Sequence, residues 1–372
     1  MSNIKANLSP ELTSTNKGKI PLSSIDILNK NIDGDKKDDN AVVRVNPSPP
    51  PANQFVEHLV NMLVVEENRD DSPSAKTTSA TGLHVLEVLS KMRLKKEENH
   101  DLRNAFKDTD LSKNLCELLK QEQTEEEVVR KIIVLIVTLT FKDDGHFKER
   151  FVSNDCLMIL MQKMNDFSRN EKLQEAACTT LNNISIYIKR NDIPNATKKR
   201  FLDAINNTAS MKTFHDTMMN YPKNKCVQES IFAVVQAFLS VNDSNNNRIF
   251  MQDVLIQVGF LDLICTFLEN DLNDQDDNEI KTTASLNAFV KMPLLLLKIV
   301  AQEEKQARIV LREKNAIMML AAIINRYHAS SLPSSTLQQT TASTGGKTMT
   351  DKILHLALET VKVLYDNNEN NE

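Results

Sequence analysis

Large apolar residues recur three positions apart in six stretches of the chain, as they do along the buried side of a helix. Successive stretches lie 45 to 64 residues apart. This recurrence predicts a stacked array of long helices that works through its surface. Aligned on Leu181, the first position is Leu86, Ile136, Leu181, Val235, Leu297 and Val361, and the second is Leu89, Leu139, Ile184, Phe238, Val300 and Leu364.

A second kind of helix is predicted between the long ones. Residues 155–164, 259–268 and 315–324 share one apolar pattern. Each follows a short amphipathic stretch, at 146–152, 248–258 and 306–314. The predicted order is therefore a short helix, a turn with Gly or Asn, a middle helix and a long helix. Strand-like alternation of apolar and polar residues is absent from the sequence.

The three-helix unit resembles the armadillo repeat, whose long helix reads roughly V-Q-x-x-A-A-x-A-L-x-N-L. Residues 173–184, LQEAACTTLNNI, are the best copy, and Gly259 stands once at the turn position that the family gives to glycine. The resemblance covers about residues 76–366. It implies an all-α, right-handed α-solenoid of about five to six repeats. For the outer repeats, HEAT-type helix pairs or a helical regulatory domain built on the same plan stay open.

Composition shifts divide the chain. Residues 1–52 are polar and end in a proline-rich run, which predicts a disordered N-terminal tail. An N-terminal helix and linker are predicted over 53–75, the repeat array over 76–366 and a polar C-terminal tail over 367–372. Three insertions are expected in the array, around 191–209, 270–283 and 330–350, and we expect disorder in the last one, near 331–349.

Charge and composition argue against several classes of function. The net charge of −5 offers no basic field for nucleic acid. The longest apolar stretch, about ten residues, is too short for the roughly 20 residues of a membrane span. Five cysteines without a C-x-x-C pair indicate buried, reduced thiols and a reducing compartment. No motif for catalysis, a metal or a cofactor stands out, so we expect a non-enzymatic protein of the cytoplasm or nucleus.

The resemblance implies that a ligand binds on the concave side of the long helices. Helical geometry places the residues that flank the buried stripe on that side. We predict an intracellular scaffold or adaptor that holds a peptide or a helix there. The predicted protein-binding residues are Arg130, Val134, Thr138, Glu175, Thr179, Asn182, Asn183, Glu229, Ala233 and Gln236.

Two further expectations concern partners. Importin-like armadillo proteins pair a Trp with an Asn four residues later, but Thr179 stands four residues before Asn183 and the chain has no Trp. Recognition of basic import signals is therefore not expected. The alternative function is an armadillo-type regulator or cochaperone that clamps a folded partner domain and alters its nucleotide cycle. In the predicted tail, Arg44, Pro47 and Pro50 fit a polyproline ligand for an SH3-type domain.

Overall fold

The computed structural model describes residues 85–89, 100–107, 109–121, 124–141, 143–241, 252–273, 283–303, 305–331 and 349–365. All of them belong to one unit of the chain, Val56–Glu372. The predicted tail at 1–52, the SH3-type motif within it, the linker at 53–75 and the C-terminal tail at 367–372 lie outside the described residues. So does nearly all of the insertion predicted near 331–349.

Helices make up the regular structure of the described residues, which contain no strand. Residues 85–89 and 252–257 are helical as well. The bounded helices are α1 (His100–Lys107), α2 (Leu111–Lys120), α3 (Glu126–Thr140), α4 (His146–Ser153), α5 (Cys156–Asp166), α6 (Glu171–Ile188), α7 (Asn195–Ile205), α8 (Thr208–Asn220), α9 (Lys225–Val241), α10 (Phe260–Asn273), α11 (Thr283–Glu303), α12 (Lys305–Glu313), α13 (Ala316–Ser331) and α14 (Met349–Tyr365).

The helices repeat in the predicted order of short, middle and long. Helices α4, α5 and α6 form one unit, and α7, α8 and α9 form the next. Residues 252–257 precede α10 and α11, and α12 precedes α13 and α14. The long helices α3, α6, α9, α11 and α14 pack side by side in chain order. The protein therefore has an all-α helical-repeat fold of the α-solenoid type.

The insertion expected around 191–209 is wrong. Residues in this range form α7, the short helix of its unit, and the first turn of α8. Phe201 and Ile205 give α7 a buried side, although its mean composition is polar. Asn207 begins α8 by accepting a hydrogen bond from Ser210 N at 2.8 Å. A short amphipathic helix with few apolar residues resembles a loop in composition, and this explains the error.

The turn between the short and middle helices uses a left-handed backbone in three units. Asp155, Gly259 and Asn315 have φ angles of 57°, 76° and 54°. Gly, Asn and Asp tolerate this conformation better than other residues because their side chains are absent or can hydrogen-bond locally. The turns predicted with Gly or Asn are therefore confirmed at Gly259 and Asn315, and Asp155 takes the same place in a third unit.

The buried stripe is as predicted at every aligned position except Val361. Leu181 and Ile184 are fully buried, and so are their counterparts on α3, α9 and α11. Val361 on α14 is instead half-exposed, and the prediction that it is a core residue is wrong. Helix α14 packs against α11 and α13, and no later helix among the described residues covers its other side.

A buried glutamine joins the middle and long helices in two successive units. Gln174 Nε2 donates to the carbonyls of Met164 and Phe167 at 2.7 and 3.1 Å. Gln228 Nε2, 54 residues later, donates to Met218 and Tyr221 at 2.9 and 3.1 Å. These amides satisfy carbonyls at the C-terminal ends of α5 and α8. The hydrogen bonds thus repeat along with the sequence.

Candidate functional site

The predicted binding residues all lie on the long helices α3, α6 and α9, beside the buried stripe. We call this group of ten the long-helix face: Arg130, Val134 and Thr138 on α3, Glu175, Thr179, Asn182 and Asn183 on α6, and Glu229, Ala233 and Gln236 on α9. Glu229 is exposed and the other nine are half-buried. Because α6 packs against both α3 and α9, the face is continuous across three units.

Between α3 and α6, the face is held by a side-chain hydrogen bond. Asn183 Nδ2 donates to Thr140 Oγ1 at 3.2 Å, and the buried Thr140 hydroxyl donates to Ile136 O at 2.8 Å. At the other end of the same pair of helices, Asn170 Nδ2 donates to Glu126 Oε1 at 2.5 Å. Asn183 therefore has a structural partner across the repeat boundary, which the sequence did not reveal.

Between α6 and α9, three members of the face make polar contacts across the boundary. Thr179 Oγ1 lies 3.4 Å from Cys226 Sγ, and Asn224 Nδ2 donates to Glu175 Oε2 at 3.4 Å. Lys189 Nζ donates to Gln236 Oε1 at 2.9 Å. Burial lowers the pKa of Lys189, because desolvation penalises its charged form.

Charge on the face is balanced within helices. Arg130 Nε and Nη2 donate to the two oxygens of Glu127 at 2.8 and 2.6 Å, and this bidentate pair lowers the pKa of Glu127. On α9, desolvation raises the pKa of Glu229, with Lys225 acting in the opposite direction. The face therefore has no strong single-sign field that would select a highly charged ligand.

Asn182 differs from its neighbours. Its side chain is half-buried, and its Oδ1 atom has no hydrogen-bond partner within the part of the chain that the structure describes. An unsatisfied buried acceptor costs about 1–3 kcal/mol. Oδ1 itself is buried, so this unpaired acceptor lies beneath the surface of the face.

Apolar side chains stand at the C-terminal ends of the same helices. Phe141 is 36% exposed after α3, and Ile186 is 53% exposed near the end of α6. The two residues are 45 positions apart, as Ile136 and Leu181 are, so they occupy equivalent places in neighbouring units. They add an apolar border to a face whose centre is polar.

The prediction missed the continuation of the face onto α11. Lys291, Leu295, Lys298 and Ile299 are half-buried there, at the positions of Glu175, Thr179, Asn182 and Asn183. Lys298 Nζ reaches Glu359 Oε2 on α14 at 3.3 Å. The same alignment would have found these residues. The change from amide and hydroxyl side chains to Leu295 and Ile299 makes this part of the face more apolar.

The described residues give little support for a metal site, a disulfide or a membrane-spanning helix. Within the described ranges, no group of three metal-ligating side chains comes together, and the described cysteines form no disulfide. An open cleft of about 530 Å³ lies between α5 and α8, away from the long-helix face, and is lined by residues that include Asn165, Thr213 and Asp216. None of the helices described is both long and apolar enough to cross a membrane.

Comparisons with known proteins add little to this geometry. Neither a protein-family model nor a curated protein matches the sequence. A solved structure titled "Crystal structure of Uso1-2" aligns with 84% of this chain at a TM-score of 0.46 and 11% sequence identity. The alignment spans 42% of that structure's own chain, which is less than half its length. A likeness at this level carries no argument about function.

Proposed function

We propose that the chain is an armadillo-like, non-enzymatic scaffold or adaptor of the cytoplasm or nucleus that binds a partner protein on its long-helix face. The observation that carries the proposal is the continuity of this face: polar side chains stand beside the buried stripe on each of three long helices that pack side by side. The order of the three helices, the left-handed turn residues and the Leu173-Gln174 pair support the armadillo resemblance.

The side chains of the face suit an extended peptide or one side of a helix. Amides and hydroxyls spaced across neighbouring helices can bind the backbone of a segment that runs across the array. Phe141 and Ile186 offer apolar contacts at the border of the face. The ligand that fits best is therefore a segment of mixed polarity with little net charge.

A test of this proposal must avoid residues that join the repeats. Changing Asn183 or Gln236 removes a hydrogen bond between helices, so weaker binding would be confounded by lost stability. Val134 and Ala233 are better targets, because both are half-buried, apolar and equivalent in position on α3 and α9. The double variant Val134→Arg with Ala233→Arg adds bulk and charge to the face without deleting a polar contact.

The experiment compares the full-length wild type, this double variant and Met158→Arg. Met158 is 61% exposed on α5, a middle helix, so it is the matched control for an added arginine. Each protein is immobilised for an affinity pull-down, and the proteins that it retains are quantified by mass spectrometry. We expect a specific partner that the wild type and Met158→Arg retain and the double variant loses by at least about tenfold, or about 1.4 kcal/mol.

Two outcomes contradict the proposal. If the double variant, with unchanged circular dichroism, retains every partner, the long-helix face is not the binding surface. If a partner is lost only when surfaces of both the long and the middle helices are changed, the array clamps a folded domain. The nucleotide cycle of that domain should then be assayed, as the alternative function requires.

A further inference from the structure

Ion pairs join neighbouring units at two places in the array. Lys107 Nζ on α1 lies 2.9 Å from Asp144 Oδ2, just before α4. Lys298 Nζ on α11 lies 3.3 Å from Glu359 Oε2 on α14. The two lysine side chains are only 23% and 21% exposed, so each ammonium that has lost most of its water has a carboxylate beside it.

The boundary between α6 and α9 has a lysine that meets an amide instead. Lys189 directly follows the last turn of α6 and is half-buried. Its Nζ donates to Gln236 Oε1 on α9 at 2.9 Å. Desolvation lowers the pKa of Lys189, and no carboxylate among the described residues offsets this effect. The positive charge at this boundary is therefore partly desolvated and has no opposite charge beside it.

Hydrogen bonds on α9 fix the amide that Lys189 contacts. Gln236 Nε2 donates to Ser240 Oγ at 2.7 Å, and the Ser240 hydroxyl donates to Gln236 O at 2.8 Å. Because the amide nitrogen is held by Ser240, the amide oxygen stays on the side of Lys189. An ammonium has three N–H donors, and in the described part of the chain the contact with Gln236 uses one of them. Two donors are therefore left for a ligand.

Lys189 adjoins the long-helix face. It stands seven residues after Asn182 and three after Ile186, so helical geometry places the three side chains on one side of α6. Gln236, a member of the face, is the counterpart of Asn182 on α9. Ile186 is 53% exposed, so an apolar side chain lies about one turn from Lys189. A segment that crosses from α6 to α9 would therefore meet a positive charge and an apolar side chain together.

We propose that Lys189 anchors the partner on the long-helix face by binding the carboxylate of one Asp or Glu side chain in a peptide segment, beside an apolar residue that packs on Ile186. This inference rests on the proposed function and names the chemistry of its ligand. Charge complementarity is the reason for the choice: a carboxylate would supply the electrostatic interaction that the ammonium loses when burial removes water.

A carboxylate suits this place better than a phosphate group. Phosphate is typically bound by a cluster of arginines. Arg190, the residue after Lys189, already pairs with Asp192 at 2.5 Å. Arg130 on the same face forms a bidentate pair with Glu127. A single ammonium fits a single negative charge, which agrees with a face that has no strong single-sign field.

The probe is a phage-displayed library of random linear peptides of about 12 residues, long enough to cross three neighbouring helices when extended. It is selected on the immobilised full-length wild type. Peptides that do not bind Val134→Arg with Ala233→Arg are kept as ligands of the long-helix face. We expect these peptides to share an Asp or Glu beside a large apolar residue. Replacing that acid by its amide should raise the Kd for the wild type by at least about tenfold.

Two substitutions of Lys189 separate an effect of charge from an effect of packing. Lys189→Gln should bind the acidic peptide and its amide form equally, because the ammonium is absent. Lys189→Glu should bind a peptide with Lys in place of the acid at least about tenfold more tightly than the acidic peptide. A loss of stability cannot produce this reversal of preference.

The matched control is Lys199→Glu, which changes the net charge by the same amount. Lys199 is exposed on α7, a short helix, so this variant should bind the acidic peptide like the wild type. Weakening equal to that of Lys189→Glu would overturn the inference, because the effect would then come from overall charge.

The remaining outcomes distinguish this inference from the proposed function. If peptides bind the long-helix face without preferring an acid, or if the acidic peptide binds Lys189→Gln as tightly as the wild type, Lys189 is not the anchor and the proposed function stands. If the library yields no peptide whose binding Val134→Arg with Ala233→Arg removes, the face does not bind a peptide, and both the inference and the proposed function are overturned.

Discussion

Helices α6 and α14 have related sequences and opposite surroundings. Leu181 on α6 is fully buried, because α9 packs over the side that α3 and α5 leave open. Val361, at the same position on α14, is half-exposed. The apolar pattern alone thus predicts which side of a long helix can pack against another unit. Whether that side is buried depends on a following unit, and this difference governs the effects of substitutions.

The largest expected effect is that of a charge placed in the buried stripe. Leu181→Asp should lower the free energy of unfolding by roughly 4 kcal/mol or abolish folding, because the carboxylate has no partner between the units. Val361→Asp should cost no more than about 1 kcal/mol, since its side chain reaches water. Urea denaturation compares the two variants. Equal losses would mean that α14 is covered like α6.

An intermediate loss of stability is expected when the buried Gln174 is replaced. Gln174→Ala leaves the carbonyls of Met164 and Phe167 without this donor and Thr217 without its acceptor, so we expect a loss of about 2–3 kcal/mol. Leu354→Ala, at the equivalent place on α14, should cost less than about 1 kcal/mol. Thermal and urea unfolding provide both values. A larger loss for Leu354→Ala would reverse the order that the burial of the two helices predicts.

The smallest expected effect comes from an exposed ion pair between units. The Lys107 ammonium, 2.9 Å away, lowers the pKa of Asp144 from 3.8 to about 2. A lowered carboxyl pKa contributes stability above the unfolded value, and this contribution is lost as the pH falls from about 4 to 2. The Asp144 side chain is 68% exposed, so solvent screening limits the contribution to about 0.5 kcal/mol.

Asp144→Asn removes the ion pair with Lys107, so this variant measures what the pair contributes to stability. We expect the variant to lose slightly less stability than the wild type between pH 4 and pH 2, with the two curves converging at the acidic end. Chemical denaturation at a series of pH values measures the difference. A gap of several kcal/mol at pH 7 would show that charge, and not packing, holds the units together.

Periodicity predicted most of the fold because the two aligned positions are large and apolar in every long helix. The aligned positions on α3, α6, α9 and α11 are buried as expected, and the turns predicted at Gly259 and Asn315 are present. The pattern failed at α7, whose buried residues are too few to stand out from a loop. The pattern also failed at Val361, because it does not show whether another unit covers the helix.

The candidate site was predicted less completely. Helical geometry placed all ten residues on the exposed side of the long helices, since that depends only on their distance from the stripe. The hydrogen bonds of Asn183 with Thr140 and of Gln236 with Lys189 were not predictable, because they depend on how far one helix is shifted along its neighbour. Such contacts decide which residues remain available to a ligand.

The central claim is that the following unit, and not the helix itself, buries each stacking surface. Cys178 on α6 and Leu358 on α14 occupy equivalent positions, at 0% and 50% exposure, so a thiol can report on both. Leu358→Cys introduces the second thiol. Labelling by iodoacetamide under native conditions is then followed at each of the two thiols by mass spectrometry. The account predicts that the thiol introduced on α14 reacts at least about a hundredfold faster than Cys178, whose thiol is also disfavoured as a thiolate because burial raises its pKa. Equal labelling of the two thiols, or protection of the introduced one, would contradict it.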